Sequence, residues 1–189
     1  MDVRTDRVGL LLDQLATSAE LSQARLAGLT DEEYLWEPVP GAWSVRPRGA
    51  GVTPSPMGPG EWLLDFERPE PEPTPFTTIA WRVGHLIGCF AGRWEWTFGS
   101  RSIDPKELVQ YTPSAKEALD QLWLEVERWR RDVGTLTDAQ LDTVGFGQYP
   151  YGLDPQLPII AIVWWLNREL IHHTAEVALL RDLHAWQAA

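Results

Sequence analysis

The stretch LNRELIHHTAEVALLRDL, residues 166–183, combines helical periodicity with polar residues unusual on a core face. Residues three and four apart share one side of a helix, so a single line runs through Ile162, Leu166, Glu169, His173, Glu176 and Leu180. Apolar residues close both ends of that line, and a carboxylate, an imidazole and a second carboxylate fill its middle. The pattern predicts a helix from about Pro158 to Trp186, and Pro158 suits its first turn.

Working outward, three further segments carry the same periodicity. The first spans about Val3 to Ala27, with Val8, Leu11, Leu12, Leu15, Ala19 and Leu26 on one side and Gly28 as its C-terminal stop. The others span about Thr77 to Phe98 and about Ala115 to Val133. Ser114 with Glu117 forms a capping box at the head of the latter, and Leu119, Leu122, Val126 and Trp129 supply its seam. Two related stretches, LTDEEY from Leu29 and LTDAQL from Leu136, pair Thr30 with Glu33 and Thr137 with Gln140. Each is expected to start a short helical turn that reverses the chain, which suggests two related halves of two helices.

Between these halves the character changes. Residues 37–76 hold ten of the fifteen prolines. Proline removes a backbone donor and restricts φ, so no regular helix is expected there beyond a turn around Glu61 to Phe66. A second connection covers residues 142–156. The expected fold is all-α: an antiparallel four-helix bundle with long crossover connections, one domain over residues 1–189, with a proline-rich insertion at about 46–76.

Composition narrows the function. A formal charge of −11 argues against nucleic acid or an anionic membrane as partner. Cys89 is the single cysteine, so no intramolecular disulfide forms, and neither a signal peptide nor a membrane-spanning run is visible. A soluble cytoplasmic protein is expected. The eleven tryptophans read as core and pocket lining.

Glu169 and His173 lie one helical turn apart, a spacing that lets both hold one metal ion. A third ligand must come from elsewhere, and His85 on the second helix is the candidate, on a face shared with Trp81, Gly88, Cys89, Gly92 and Trp96. Each residue also has a plainer reading: His85 as a hydrogen-bonded core histidine, Glu169 and His173 as a buried ion pair. Glu176 reads as a fourth ligand, a general base or an acceptor fixing the tautomer of His173. His172 points away from His173 around the helix and is read as off the site. Gly84, Gly88 and Gly92 recur every fourth residue, which implies close approach of another helix or a ligand. A di-iron centre is disfavoured because Glu169–His172 is the chain's single E-x-x-H. Cys89, amid Ile87, Gly88 and Phe90, reads as an inert small hydrophobe. There is no phosphate-binding glycine loop and no G-x-S-x-G elbow.

Four stretches taken in order resemble the DinB-like superfamily of four-helix bundles: LAGLTDEEYLWEPVPGAWSV from Leu26, AWRVGHLIG from Ala80, the third helix closing at LTD, and HHTAEVALLRDL from His172. The resemblance covers nearly the whole chain apart from the insertion after Val45. It implies a divalent metal, zinc or nickel, held by one histidine of the second helix and an H-x-x-x-H pair of the fourth. His85 and His173 match that pattern, and Glu169 replaces the remaining histidine. Two histidines and a carboxylate still make a workable catalytic set. The implied activity is transfer of a low-molecular-weight thiol such as mycothiol to a small electrophile, with Glu176 assisting proton transfer and the Trp43 segment and proline-rich loop covering the site. Metal-dependent hydrolysis is the nearest variant. The reading from a different class is a non-catalytic, stress-associated binding bundle, and a homodimer is compatible with either.

Overall fold

The structure is a computed structural model and describes residues 5–148 and 154–187. It is mostly helical, with one small two-stranded sheet. Helix α1 (Arg7–Leu26) begins where the Asp6 carboxylate accepts from the Gly9 N–H at 2.8 Å. Val3, the predicted start, lies outside the described residues. The short α2 (Asp31–Leu35) is capped by Thr30, whose hydroxyl accepts from the Glu33 N–H. Helices α3 (Ile79–Thr97), α4 (Ala115–Val133) and α5 (Ile159–Gln187) follow the predicted periodicity closely. At LTDAQL, Thr137 and Gln140 bond reciprocally as a capping box, but only a single 3-10 turn, Gln140–Asp142, results.

The long helices pack as neighbouring pairs: α3 on α4 and α5, and α1 on α5 and α4. The apolar seams meet in one core that includes Leu15, Leu86, Phe90, Leu122, Trp129 and Leu166, all essentially without solvent contact. Polar bonds pin the register of α5 against α1. Asn167 donates to the Leu11 carbonyl at 2.8 Å, and the Ser22 and Thr174 hydroxyls meet at 3.0 Å. At the far end Arg181 reaches back to the Glu33 carboxylate at 2.7 Å and to the Arg25 and Ala27 carbonyls that end α1.

The proline-rich insertion departs from expectation. The segment read as a helical turn around Glu61 to Phe66 is instead strand β2 (Trp62–Leu64), antiparallel to β1 (Val45–Pro47) in the register Val45 with Leu64 and Pro47 with Trp62. Flanking prolines favour extended backbone, and an extended segment must find a partner for its N–H and C=O groups. Leu64 finds two, because it also exchanges both backbone bonds with Met57 at 2.9 Å. The hub is Asp65, whose carboxylate has no solvent contact and accepts from the Ser44 N–H, the Val52 N–H and Arg46 Nε at 2.9–3.1 Å. These bonds fold the insertion back against α3.

Of the glycine row on α3, Gly84 and Gly88 line a cavity rather than a helix–helix contact. A side chain at Gly84 would meet Leu64 of β2 at 3.0 Å and the Tyr111 ring at 3.1 Å, whereas one at Gly88 would meet only the Tyr111 hydroxyl at 3.9 Å. The close neighbour is the insertion and the α3–α4 connection rather than another helix.

Candidate functional site

The polar middle of the α5 stripe faces α3, and the two helices bring the sequence-predicted residues together. Glu169 Oε2 stands 3.2 Å from His173 Nε2 and 3.4 Å from His85 Nε2. The imidazoles of His85 and His173 meet edge to face with centroids 4.8 Å apart. Glu169 and His173 side chains are only 12 and 13 % exposed, while His85 keeps 30 %, so the cluster opens to one side. Trp81, one turn before His85, stacks on its ring at 5.0 Å and 7°, and donates its indole N–H to the Asp65 carbonyl at 2.8 Å. The insertion thereby orients His85 through Trp81.

Cys89 belongs to this group, contrary to its reading as an inert hydrophobe. Its sulfur lies 3.4 Å from the same His85 Nε2 that faces Glu169. The signal was present in the i to i+4 spacing of His85 and Cys89, which the apolar neighbours of Cys89 outweighed. A Cys–His–acid relay needs the acid on the other ring nitrogen. Here sulfur and carboxylate converge on one nitrogen, which is the arrangement of ligands around a common centre.

Donor spacing fits a metal ion. Zinc bonds of about 2.0–2.3 Å in tetrahedral geometry separate ligand atoms by roughly 3.3–3.8 Å, and the three contacts His85–Glu169, His173–Glu169 and His85–Cys89, at 3.2–3.4 Å, fall close to that interval. Among the described residues, His85, Cys89 and Glu169 form one group whose donor atoms all lie within 4.8 Å, and His172, His173 and Glu176 form a second.

Glu176 does not join the first group. It receives Arg82 of α3 in an ion pair and sits 2.6 Å from His173 Nδ1. Arg82, absent from the sequence-based candidates, anchors the acceptor that orients His173. His173 Nδ1 lies between Glu176 and Arg82, whose guanidinium stands 3.2 Å away and can only donate; the tautomer that accepts from Arg82 turns an Nε2–H toward Glu169, whereas the one that donates from Nδ1 to Glu176 aims the Nε2 lone pair at the Glu169 carboxylate. In the second tautomer two acceptors face each other at 3.2 Å, a gap that a metal ion would fill; in the first, Nε2–H donates to Glu169. His172, read as off the site, has a 62 % exposed side chain, yet its Nε2 reaches the other Glu176 oxygen at 3.2 Å.

Electrostatics agree with this arrangement. Burial works against charge on His85, but the Cys89 sulfur and the Glu169 carboxylate outweigh it, and its pKa is pushed up to about 9. Burial likewise opposes ionisation of Glu169, yet bonds from His173, His85 and Arg168 hold its carboxyl well below the usual range. For Arg82 burial wins, and its pKa is lowered despite the partnership with Glu176.

Beside the cluster, α3, the insertion and the α3–α4 connection enclose a cavity of about 160 Å³ that reaches His85 and Cys89.

The family model of the DinB superfamily matches residues 59–177, more than half of the chain. The chain belongs to the DinB superfamily. The match includes every residue of the cluster and of the Arg82–Glu176 pair. No curated protein and no solved structure gives a match. Within this DinB member, no helix among the described residues is long and apolar enough to cross a membrane.

Proposed function

We propose that this DinB-superfamily protein is a divalent-metal enzyme that transfers a low-molecular-weight thiol to a small electrophile. The observation that carries the reading is that the Nε2 atoms of His85 and His173, from two helices, both stand 3.2–3.4 Å from one Glu169 oxygen. The four long helices are read as an antiparallel bundle of the DinB type, the scaffold that places α3 opposite α5. His85, Glu169 and His173 would hold the ion, zinc or nickel by donor type. When bound, such an ion would supply Lewis acidity that lowers the pKa of a thiol and favours the nucleophilic thiolate. With a metal bound, Glu176 would accept from an Nδ1–H of His173 and so fix its tautomer, and the ion pair with Arg82 would hold Glu176 in place. Through its second oxygen Glu176 also touches the exposed His172, so a proton taken up by Glu176 would have an outlet to solvent.

One observation favours a second reading. Cys89 already presents a sulfur at the cluster, in contact with His85 Nε2. If that sulfur closes the site as a fourth ligand, the protein binds metal and small molecules without turnover. The two readings separate experimentally. Elemental analysis of zinc- and nickel-dialysed protein should give near-stoichiometric metal, lost in His85→Ala and His173→Ala. Folded wild type that takes up neither ion overturns both readings. In Cys89→Ser, retained metal with a thiolate-to-metal absorption appearing on addition of a small thiol to the cobalt-loaded protein supports transfer. Loss of metal in that variant supports the closed site.

A further inference from the structure

Helix α5 is apolar on two sides. One side enters the core through Ile162, Leu166, Leu170 and Val177, and the other carries Trp164, Ile171, Leu179 and Trp186 outward with 42–83 % of each exposed. A helix apolar all round belongs where both sides are covered. The outward residues fall on one line, with Ala175 at its middle and Arg168 and Asp182 in its gaps. Trp164, Ala175 and Trp186 recur every eleven residues, close to three helical turns, so the line follows the helix with little drift over about 33 Å. It also reads alike from both ends. Counted outward from Ala175, the fourth residues are Ile171 and Leu179, the seventh are Arg168 and Asp182, and the eleventh are both tryptophan. Leu10 and Leu21 of α1, 60 and 67 % exposed, share a line with Gln14, which lies beside Trp164 and Ile171 in one groove.

We propose that a second copy of this chain docks on this ridge, α5 against α5, antiparallel about a two-fold axis at Ala175. That register sets tryptophan on tryptophan and aliphatic on aliphatic, and twice brings Arg168 to Asp182 of the partner subunit; a parallel register would oppose like charges. Both groups are accessible, with side chains 51 and 64 % exposed. Within one chain Arg168 donates to Glu169 and Asp182 accepts from Arg25. A guanidinium with five N–H donors and a carboxylate with about four acceptor sites keep those bonds and add one across the axis. The alanine at the centre lets the two helices approach closely. Area is in keeping with such a pair. On side chains of about 150–250 Å² the two tryptophans alone leave roughly 300 Å² to cover, and Ile171, Leu179 and the α1 flank extend the patch toward the ~800 Å² per partner of a stable interface. A formal charge of −11 speaks against an anionic lipid surface as the occupant. Glu169 and His173 project from the opposite side of α5, so the paired form leaves their cluster open.

The test is sedimentation equilibrium of the full chain from micromolar to submillimolar concentration. Wild type should run at twice its 21.4 kDa mass. Ala175→Glu, which sets two carboxylates face to face on the axis, should run as a monomer with an unchanged circular dichroism spectrum. Arg168→Glu and Asp182→Arg should each weaken the dimer at least tenfold, because self-pairing of either variant opposes like charges at both sites. An equimolar mixture of the two variants restores opposite charges at both sites and should dimerise as wild type does. A monomeric wild type overturns the proposal, whether it stays free or partitions onto zwitterionic lipid vesicles. So does a dimer indifferent to Ala175→Glu, or a mixture that associates no more tightly than its components. Ala175 is exposed, so its variant decides the matter should a charge variant fail to fold.

Discussion

His85 Nε2 faces a thiol sulfur and a carboxylate oxygen at the same 3.4 Å distance, and its titration follows from that position. Its folded pKa of about 9 lies above its ordinary value of about 6.5. The charged form is therefore favoured by folding, and the stability it adds is complete below pH 6.5 and lost as pH rises toward 9. Glu169 shifts downward, so its contribution is present above its ordinary value of about 4.3 and disappears as pH falls below that. Metal-free protein should melt at the highest temperature between those limits and lose stability from pH 6.5 to 9, with the alkaline decline flattened in His85→Gln. A melting temperature independent of pH over that range would refute the assignment. Glu176 acts through His173, so Glu176→Gln should weaken metal binding about ten- to a hundredfold with little change in fold, measured by competition with a chromophoric chelator. The Glu169 and His173 pair was legible in the sequence because one helical turn is a local spacing. Arg82 was not, because a cation 94 residues from Glu176 in the sequence acquires meaning only once α3 lies against α5.

At the scale of elements, α3 carries the site and its glycines divide by what faces them. Gly88→Ala gains helix propensity of up to about 1 kcal/mol, its methyl in ordinary contact with the Tyr111 hydroxyl at 3.9 Å. Gly84→Ala pushes a methyl against Leu64 and Tyr111 at about 3 Å, and overpacking of roughly 2–3 kcal/mol should outweigh the same propensity gain of about 1 kcal/mol. Opposite signs in denaturant titrations of the two variants check the assignment; equal effects contradict it. The start of α3 depends on Thr78, which accepts from the Trp81 N–H at 3.1 Å and meets the Ser44 hydroxyl at 3.0 Å with no solvent contact. Thr78→Ala should cost about 1–2 kcal/mol and loosen the turn that holds Trp81. The long helices were readable from periodicity because α4 and the core-facing side of α3 repeat their apolar residues strongly. The strands were not readable, because three-residue strands hold too few residues for an alternating pattern, and Asp65 reads as an ordinary loop acid until its three donors converge.

Over the whole molecule, the helices provide the ligands and the insertion supplies a wall of the cavity. The match to the superfamily begins at residue 59, inside the insertion, so β2 and Asp65 fall within the matched region while α1 and β1 precede it. Removal of the Asp65 hub should therefore separate the two layers. Asp65→Ala is expected to raise amide hydrogen exchange across residues 44–66 while α4 and the α1–α5 contact keep their protection. Uniform loss of protection would instead mean that the insertion and the helices unfold as one unit. The Arg181–Glu33 pair makes the complementary test at the opposite end. Both side chains are largely buried, and Arg181→Ala strands the carboxylate, with an expected loss of about 3 kcal/mol.

The face-to-face contact of Trp81 with His85 also makes the protein its own optical probe. An imidazolium stacked on an indole draws on its excited state, whereas a neutral or ligated imidazole does so less. Emission difference spectra between wild type and Trp81→Phe would isolate one fluorophore among eleven. Its brightness would report, without label or cofactor, whether the ring beneath it holds a proton.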